Sequence, residues 1–256
     1  MNLSRFSLGG KVALVTGGSR GIGKATALGF AEAGADVVVT SRKLSDLEEV
    51  ADEIKILGRR SLAVSAHLGR MDQIDDLVSK VTEEFDRIDI LVNNAGTSPV
   101  YASVLDVEER AWDAIMNLNL KGLFFLSRTV AKTMKEQGGG TIINVASMDG
   151  LKPEPNIGIY AISKAGVIMA TKVMALELAK FNIKVNAIAP GNVSTRLGDS
   201  RWDVVPGYQE EMLRRIPVGR IGKPSEMVST MIYLACDASS YTTGDTILVD
   251  GGVLLS

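Results

Sequence analysis

The sequence predicts a single α/β domain, a doubly wound parallel sheet flanked by helices on both faces. Three observations lead there. Short β-branched runs alternate with longer segments of helical periodicity along the whole chain. The runs are apolar throughout rather than alternately polar, the pattern of strands covered on both faces. Residues suited to holding phosphate or moving protons recur just after those runs, the edge at which open α/β sheets bind their ligands.

The first run, KVALVT at 11–16, ends at glycines, and GIGKATALGFAEAG at 21–34 continues it with helical periodicity. ADVVVT (35–40), SLAVSA (61–66), IDILVNNAG (88–96), TIINVAS (141–147), IKVNAIAP (183–190) and TILVDGG (246–252) repeat the strand signature. Helical segments separate most of them, and right-handed crossovers then place helices on both faces. NIGIYAISKAGVIMATKVMALELAKF, at 156–181, reads as one long helix. Between 196 and 217 the chain mixes Trp202, Tyr208, Met212 and Leu213 with charges and has no strand pattern. The segment around 195–216 is read as a substrate lid, with a subunit contact as the other reading.

A chain of 256 residues, 46% hydrophobic, can bury one large core, and no linker, repeat or low-complexity run divides it. One domain over 1–256 is expected. The net charge of -2 argues against nucleic-acid binding, which needs a concentrated basic surface. Cys236 is the single cysteine, so no internal disulfide is possible, and a reducing, cytoplasmic setting is expected. No secretory leader pattern opens the chain, and no window is read as approaching the ~18 apolar residues of a membrane span. His67 is the only histidine, and one histidine makes no metal site.

The chemistry is concentrated in a few motifs. Ser147 is followed by Tyr160 and then, four residues later, by Lys164. That i,i+4 spacing sets a phenol beside an ammonium on one helix face. A nearby positive charge favours the phenolate and moves tyrosine from its usual pKa of ~10 toward exchange with an alcohol or ketone. Upstream, Thr16-Gly17-Gly18-Ser19-Arg20-Gly21-Ile22-Gly23 turns from strand into helix, where glycines admit a pyrophosphate to free helix N–H groups. No Walker lysine followed by Ser or Thr is present, which disfavours a kinase or ATPase.

Taken with Asn94-Ala95-Gly96 of the N-N-A-G segment, Asn119 of NLNLKG, Pro190-Gly191 and the closing TGDTILVDGG, these motifs resemble the classical short-chain dehydrogenase/reductase family, in its order and over nearly the whole chain. The resemblance implies a Rossmann-like domain in which NADPH gives a hydride to a carbonyl carbon and Tyr160 gives a proton to its oxygen. It implies that Ser147 orients the carbonyl and that Lys164 holds the nicotinamide ribose and tunes the phenol. Asn119 would position a water leading from Lys164 to solvent. Around the cofactor, Gly17, Ser19, Arg20, Gly21, Ile22 and Gly23 would meet the phosphates, His67 and Leu68 the adenine, and Asn94, Ala95 and Gly96 the adenosine ribose. Asn93 is read as structural. Pro190, Gly191, the Val193 backbone and the Thr195 hydroxyl would grip the nicotinamide carboxamide.

After the second predicted strand, where NAD enzymes place a carboxylate for the ribose 2′-hydroxyl, this chain has Ser41, Arg42 and Lys43. Arg42, with Arg20, can hold a 2′-phosphate, so NADP(H) is the expected cofactor. The expected reaction interconverts a small-molecule carbonyl compound and its secondary alcohol, with a carbonyl reductase as the leading type. Reduction of a 3-oxoacyl group on an acyl-carrier protein is placed second, because the positions that resemble that branch's docking arginines are Gly138 and Phe181. NAD-linked sugar or polyol oxidation is a third reading, disfavoured by Arg42. A catalytically silent dinucleotide sensor is the reading from a different class, and the presence of Asn119, Ser147, Tyr160 and Lys164 together speaks against it. The resemblance also implies a homotetramer built through helices around 108–135 and 157–180 and the last strand.

Overall fold

The structure, a computed structural model, describes residues 3–98, 100–195 and 207–256. Seven strands are formed: β1 (Val12–Thr16), β2 (Asp36–Ser41), β3 (Ser61–Ser65), β4 (Ile90–Asn93), β5 (Gly140–Val145), β6 (Ile183–Pro190) and β7 (Thr246–Val249). They make one sheet in the order β3-β2-β1-β4-β5-β6-β7, with every neighbouring pair parallel. The predicted single-domain, doubly wound α/β architecture is therefore observed. Chain direction across the sheet reverses between β1 and β4, which opens a crevice at their carboxyl ends.

The pleat divides the inner strands between two cores. Ala13 and Val15 of β1, with Val37 and Val39 of β2, face α1 (Gly21–Glu32), α2 (Leu44–Ile56) and, near the chain end, a helix at Val228–Ala235. Leu14 and Val38 point the other way, with Leu91, Ile142 and Val185, onto α3 (Asp72–Phe85), α5 (Leu123–Glu136) and α6 (Gly158–Leu178). That is why the strands read as unbroken apolar runs: both faces are covered. Between β4 and α5 lies α4 (Glu109–Met116), joined to α5 by a π-helical stretch, Asn117–Gly122. Among the described residues, two further helices follow β6, α7 (Tyr208–Arg215) and α8, the Val228–Ala235 helix already met.

A polar seam runs through the second core. Asn93 donates to Ser127 Oγ at 2.8 Å and to Asn144 Oδ1 at 2.9 Å, and Asn144 donates to Thr171 Oγ1 at 2.9 Å. Asn93 and Asn144 are register partners on β4 and β5, so the seam locks these strands to α5 and α6. Asn93 thus has the structural place expected of it.

One expectation is corrected. The stretch Gly158–Phe181, with a mean hydropathy of 1.4 over its best window, is long and apolar enough to cross a membrane. Its reason lies in the fold, because 61% of that window is buried and α6 packs against β6 and the turn after β5. The apolar composition is that of a core helix.

Candidate active site

The glycine turn after β1 is shaped by contacts that leave no room for side chains. Gly17 has φ +62°, and a Cβ on Gly23 would lie 2.2 Å from the Gly17 carbonyl oxygen and 2.4 Å from Asn94 Nδ2. The Asn94 side chain donates to the carbonyls of Thr16 (2.9 Å) and Gly17 (3.2 Å), while Thr16 Oγ1 accepts the N–H groups of Asn94 and Ala95, each at 2.9 Å. Asn94 therefore spends its side chain on the turn itself, tying β4 to β1. Thr16 is the residue that sequence reasoning missed here. It is the hub joining β1 to β4, and its position as the last strand residue before the glycines was the available signal.

Past that turn, α1 begins with N–H groups that have no partner within the helix. Ser19, Gly21 and Ile22 are half-buried at this end, and Arg20 is exposed. Thr195 meets the turn from the far side: a Cβ on Gly21 would lie 3.3 Å from Thr195 Cγ2. Pro190 ends β6, Gly191 donates to the Val249 carbonyl at 3.0 Å, and Val193 bridges to Gly222. These contacts bring the 190–195 segment to the glycine turn, on the crevice edge.

Ser41 ends β2, and Arg42 follows it exposed, its carbonyl accepting from Ser65 Oγ at 2.9 Å. An acid of the following helix enters here. Asp46, in the first turn of α2, is ion-paired to Lys43, which holds its carboxyl below the usual range, and the Arg20 charge contributes in the same direction. The basic cluster expected to meet a 2′-phosphate thus carries an acid of its own. Further along the edge, His67 Nδ1 accepts the Gly69 N–H at 3.1 Å, and the His67 N–H donates to Gln73 Oε1 at 2.7 Å. Leu68 is buried against the π-helical stretch, since a Cβ on Gly122 would meet its carbonyl oxygen at 2.3 Å.

The proton-handling groups converge on α6. Tyr160 and Lys164 are both buried, with Lys164 Nζ 5.6 Å from the Tyr160 ring centre. Lys164 Nζ donates to the Val145 carbonyl at 2.7 Å. Burial pushes its ammonium down to about 8, with the Asp149 charge acting in the opposite sense. Gly96 closes the group from β4: a Cβ there would be 3.5 Å from Asn119 Oδ1 and 3.6 Å from Lys164 Nζ.

The Asn119 side chain is tied into the fold. Its Oδ1 accepts the Thr97 N–H at 2.8 Å, and its Nδ2 donates to the Thr97 carbonyl at 2.9 Å and to Ser163 Oγ at 3.1 Å. The side chain ties the loop after β4 to α6 from within the π-helical stretch. Ser147, on the turn after β5, is buried and exchanges hydrogen bonds with Asp149, a buried carboxylate that sequence reasoning passed over.

The expected lid falls in two parts. Residues 196–206, with Trp202, lie outside the described residues. From 207 on, α7 is anchored by Met212 and Ile216, both buried, and Ile216 shares a small apolar cluster with Met148 and Val253. Arg215 pairs with Glu154 at 3.1 Å. The base of the expected lid therefore rests on the turn that carries Ser147. Among the described residues, no group of three His, Cys, Asp or Glu side chains could hold a metal ion.

Gly138 and Phe181 stand at the amino-terminal ends of β5 and β6, the edge opposite Ser147. Lys135 Nζ and Lys180 Nζ lie 4.6 and 5.2 Å from the Phe181 ring centre. Neither of the two positions is itself basic, and these lysines place positive charge beside Phe181.

Known proteins are similar to this chain in sequence and fold. Residues 17–254 match the family model described as enoyl-(acyl carrier protein) reductase. The chain is 44% identical over 255 residues to the 2-dehydro-3-deoxy-D-gluconate 5-dehydrogenase of Escherichia coli, covering 99% of each chain. It is 42% identical over 248 residues to the 3-oxoacyl-[acyl-carrier-protein] reductase of Thermotoga maritima, covering 97% of this chain and 99% of that one. Among solved structures, a gluconate 5-dehydrogenase from Burkholderia cenocepacia in complex with NADP and tartrate superposes with a TM-score of 0.95 at 35% identity, covering 99% of each chain.

Proposed function

The chain belongs to the short-chain dehydrogenase/reductase family, and from that premise we propose that it is an NADP(H)-dependent oxidoreductase interconverting a ketone and its secondary alcohol. One observation carries the reading above the others. A buried lysine lies 5.6 Å from the ring of a buried tyrosine, with Ser147 on the adjacent turn and the glycine turn of a nucleotide site along the same edge. The cradle formed by Gly17 and Gly23, which a Cβ would fill, fits a dinucleotide.

The bound nicotinamide would supply the hydride chemistry. Tyr160 exchanges the proton with the substrate oxygen, and Ser147 fixes that oxygen by hydrogen bonding. Lys164 in its charged form favours the phenolate and holds the ribose hydroxyls. Gly17, Ser19, Arg20, Gly21, Ile22 and Gly23 bind the pyrophosphate, and Arg42 with Arg20 takes the 2′-phosphate, in competition with Asp46. His67 and Leu68 flank the adenine, the backbone from Asn94 to Gly96 lines the adenosine ribose, and the 190–195 segment orients the carboxamide. The NADP named with the Burkholderia cenocepacia structure supports the cofactor choice.

For substrate, a sugar acid is tested first, because the Escherichia coli and Burkholderia cenocepacia relatives are dehydrogenases of gluconate-type compounds. An acyl-carrier-protein thioester is the second reading, supported by the Thermotoga maritima relative. The proposal includes a cytoplasmic homotetramer. The apolar side chains that α6 exposes, Ile162, Met169, Val173 and Leu176, support the assembly.

The test is a fluorescence titration with NADPH and NADH, followed by absorbance of the reduced nicotinamide against a panel. The panel holds 5-ketogluconate with gluconate, cyclohexanone with cyclohexanol, and an acetoacetyl thioester with its 3-hydroxybutyryl partner. Tighter NADPH binding with turnover of at least one pair is the expected result. Equal or tighter NADH binding overturns the cofactor assignment, and binding without turnover of any pair favours the dinucleotide sensor.

A further inference from the structure

The turn after β5 carries a carboxylate that the reaction scheme leaves without a role. Asp149 is 4% exposed and sits in the short 3-10 turn Met148–Gly150, whose N-cap is Ser147. Its N–H donates to Ser147 Oγ at 3.1 Å, and the Ser147 hydroxyl donates to Asp149 Oδ2 at 3.2 Å. The turn has no room to retreat. A Cβ on Gly150 would fall 2.7 Å from the carbonyl carbon of Lys164 and 2.9 Å from the Ala165 nitrogen, so this turn lies directly on the part of α6 that bears Lys164. The Asp149 charge reaches the Lys164 ammonium as well, opposing the effect of burial on it.

A serine hydroxyl offers one proton and two lone pairs. Here the proton goes to the Asp149 carboxylate, and one lone pair is occupied by the Asp149 N–H. What Ser147 has left for a substrate is a lone pair. An alcohol can donate to it, whereas a ketone oxygen has only lone pairs of its own and gains nothing there. We propose that Asp149 is a positioning residue which fixes the direction of the Ser147 hydroxyl and so makes the resting site bind the secondary alcohol in preference to the ketone. A ketone is bound only after the Ser147 proton has turned away from the carboxylate, with loss of a charge-assisted hydrogen bond. This rests on the oxidoreductase reading and deepens it by assigning the substrate form the free site prefers.

Both directions cross one transition state, and the protein does not alter the overall equilibrium. At unchanged cofactor affinity, kcat/KM in the two directions therefore moves by a common factor in any variant. The informative quantity is the ratio of KM for the ketone to KM for the alcohol. Asp149→Asn and Asp149→Ala would be compared with the wild-type full chain on the three pairs of the panel, with dissociation constants for NADPH and NADP+ measured beside them. The expected result is a graded fall of that ratio, about ten- to a hundredfold in Asp149→Ala, the size of one hydrogen bond to a charged group, and less in Asp149→Asn, whose amide oxygen still accepts. The Asn variant keeps the backbone donor and the shape of the turn, so it decides the question if the Ala variant does not fold. A ratio that both folded variants leave unchanged overturns the inference, as does a parallel shift of both KM values, which is the mark of a merely structural residue. A wild-type protein inert toward every pair overturns the oxidoreductase reading and this inference together. Turnover by the wild type with an immovable ratio overturns this inference alone.

Discussion

At the scale of single residues, Lys164 shows how burial sets chemistry. The side chain is held 4% exposed beside Tyr160, and its pKa stands at about 8 instead of 10.5. Between those two values the unfolded chain holds more protons than the folded one, so this group makes stability rise with pH across that window. Its charge in the folded site is lost over the same window. NADPH affinity of the free protein, measured by fluorescence, should therefore weaken as pH passes about 8, and Lys164→Met should lack that inflection. Tyr160→Phe removes the exchangeable proton and leaves the cradle intact. It should lower kcat by about 10²- to 10⁴-fold while NADPH binding stays within about twofold. For Arg42, replacement by Ala should weaken NADPH about tenfold and leave NADH unchanged, the loss expected of a charge-assisted bond to phosphate. Equal losses for both cofactors would remove the 2′-phosphate assignment.

Among elements, the π-helical stretch Asn117–Gly122 is the least replaceable piece of the site. It turns Asn119 inward so that one amide satisfies the Thr97 backbone and Ser163 together. Asn119→Leu removes the side-chain partner of the half-buried Thr97 N–H and carbonyl and one of the bonds of Ser163 Oγ, which keeps its bond to the Tyr160 carbonyl. It should destabilise the protein by about 2–4 kcal/mol in urea unfolding and detach the loop after β4 from α6. The first turn of α1 is equally exacting for a different reason. Gly23→Ala would drive a methyl group into the Gly17 carbonyl oxygen, so the variant should fold with a displaced turn and lose measurable NADPH binding in the same titration.

For the whole molecule, the exposed apolar stripe on α6 is the feature a monomer does not use. Leu176 is 83% exposed and Met169 57%, on a helix whose opposite face lies in the core. Leu176→Glu with Met169→Glu should convert the proposed tetramer into smaller species in sedimentation velocity, without changing the content of secondary structure. An unchanged sedimentation coefficient would move the interface elsewhere.

What the sequence determined by itself was whatever depends on neighbours along the chain. The apolar runs specified buried parallel strands, the spacing of Tyr160 and Lys164 specified a shared helix face, and the glycines after β1 specified a turn open to phosphate. The tertiary structure alone decided how separate segments use one another's polar atoms. The amides of Asn119 and Asn94 close on backbone groups of Thr97, Thr16 and Gly17, because peptide groups far apart in sequence need partners and only the fold brings these side chains within reach of them. Asp46 and Asp149 lie only three and two residues after their partners Lys43 and Ser147, and what folding adds is the burial of the turn after β5, which commits the Asp149 carboxylate to the Ser147 hydroxyl. Even the long apolar helix at 158–178 could be told from a membrane span only by the sheet it covers, since hydropathy measures what a helix excludes and packing alone shows what it excludes it with.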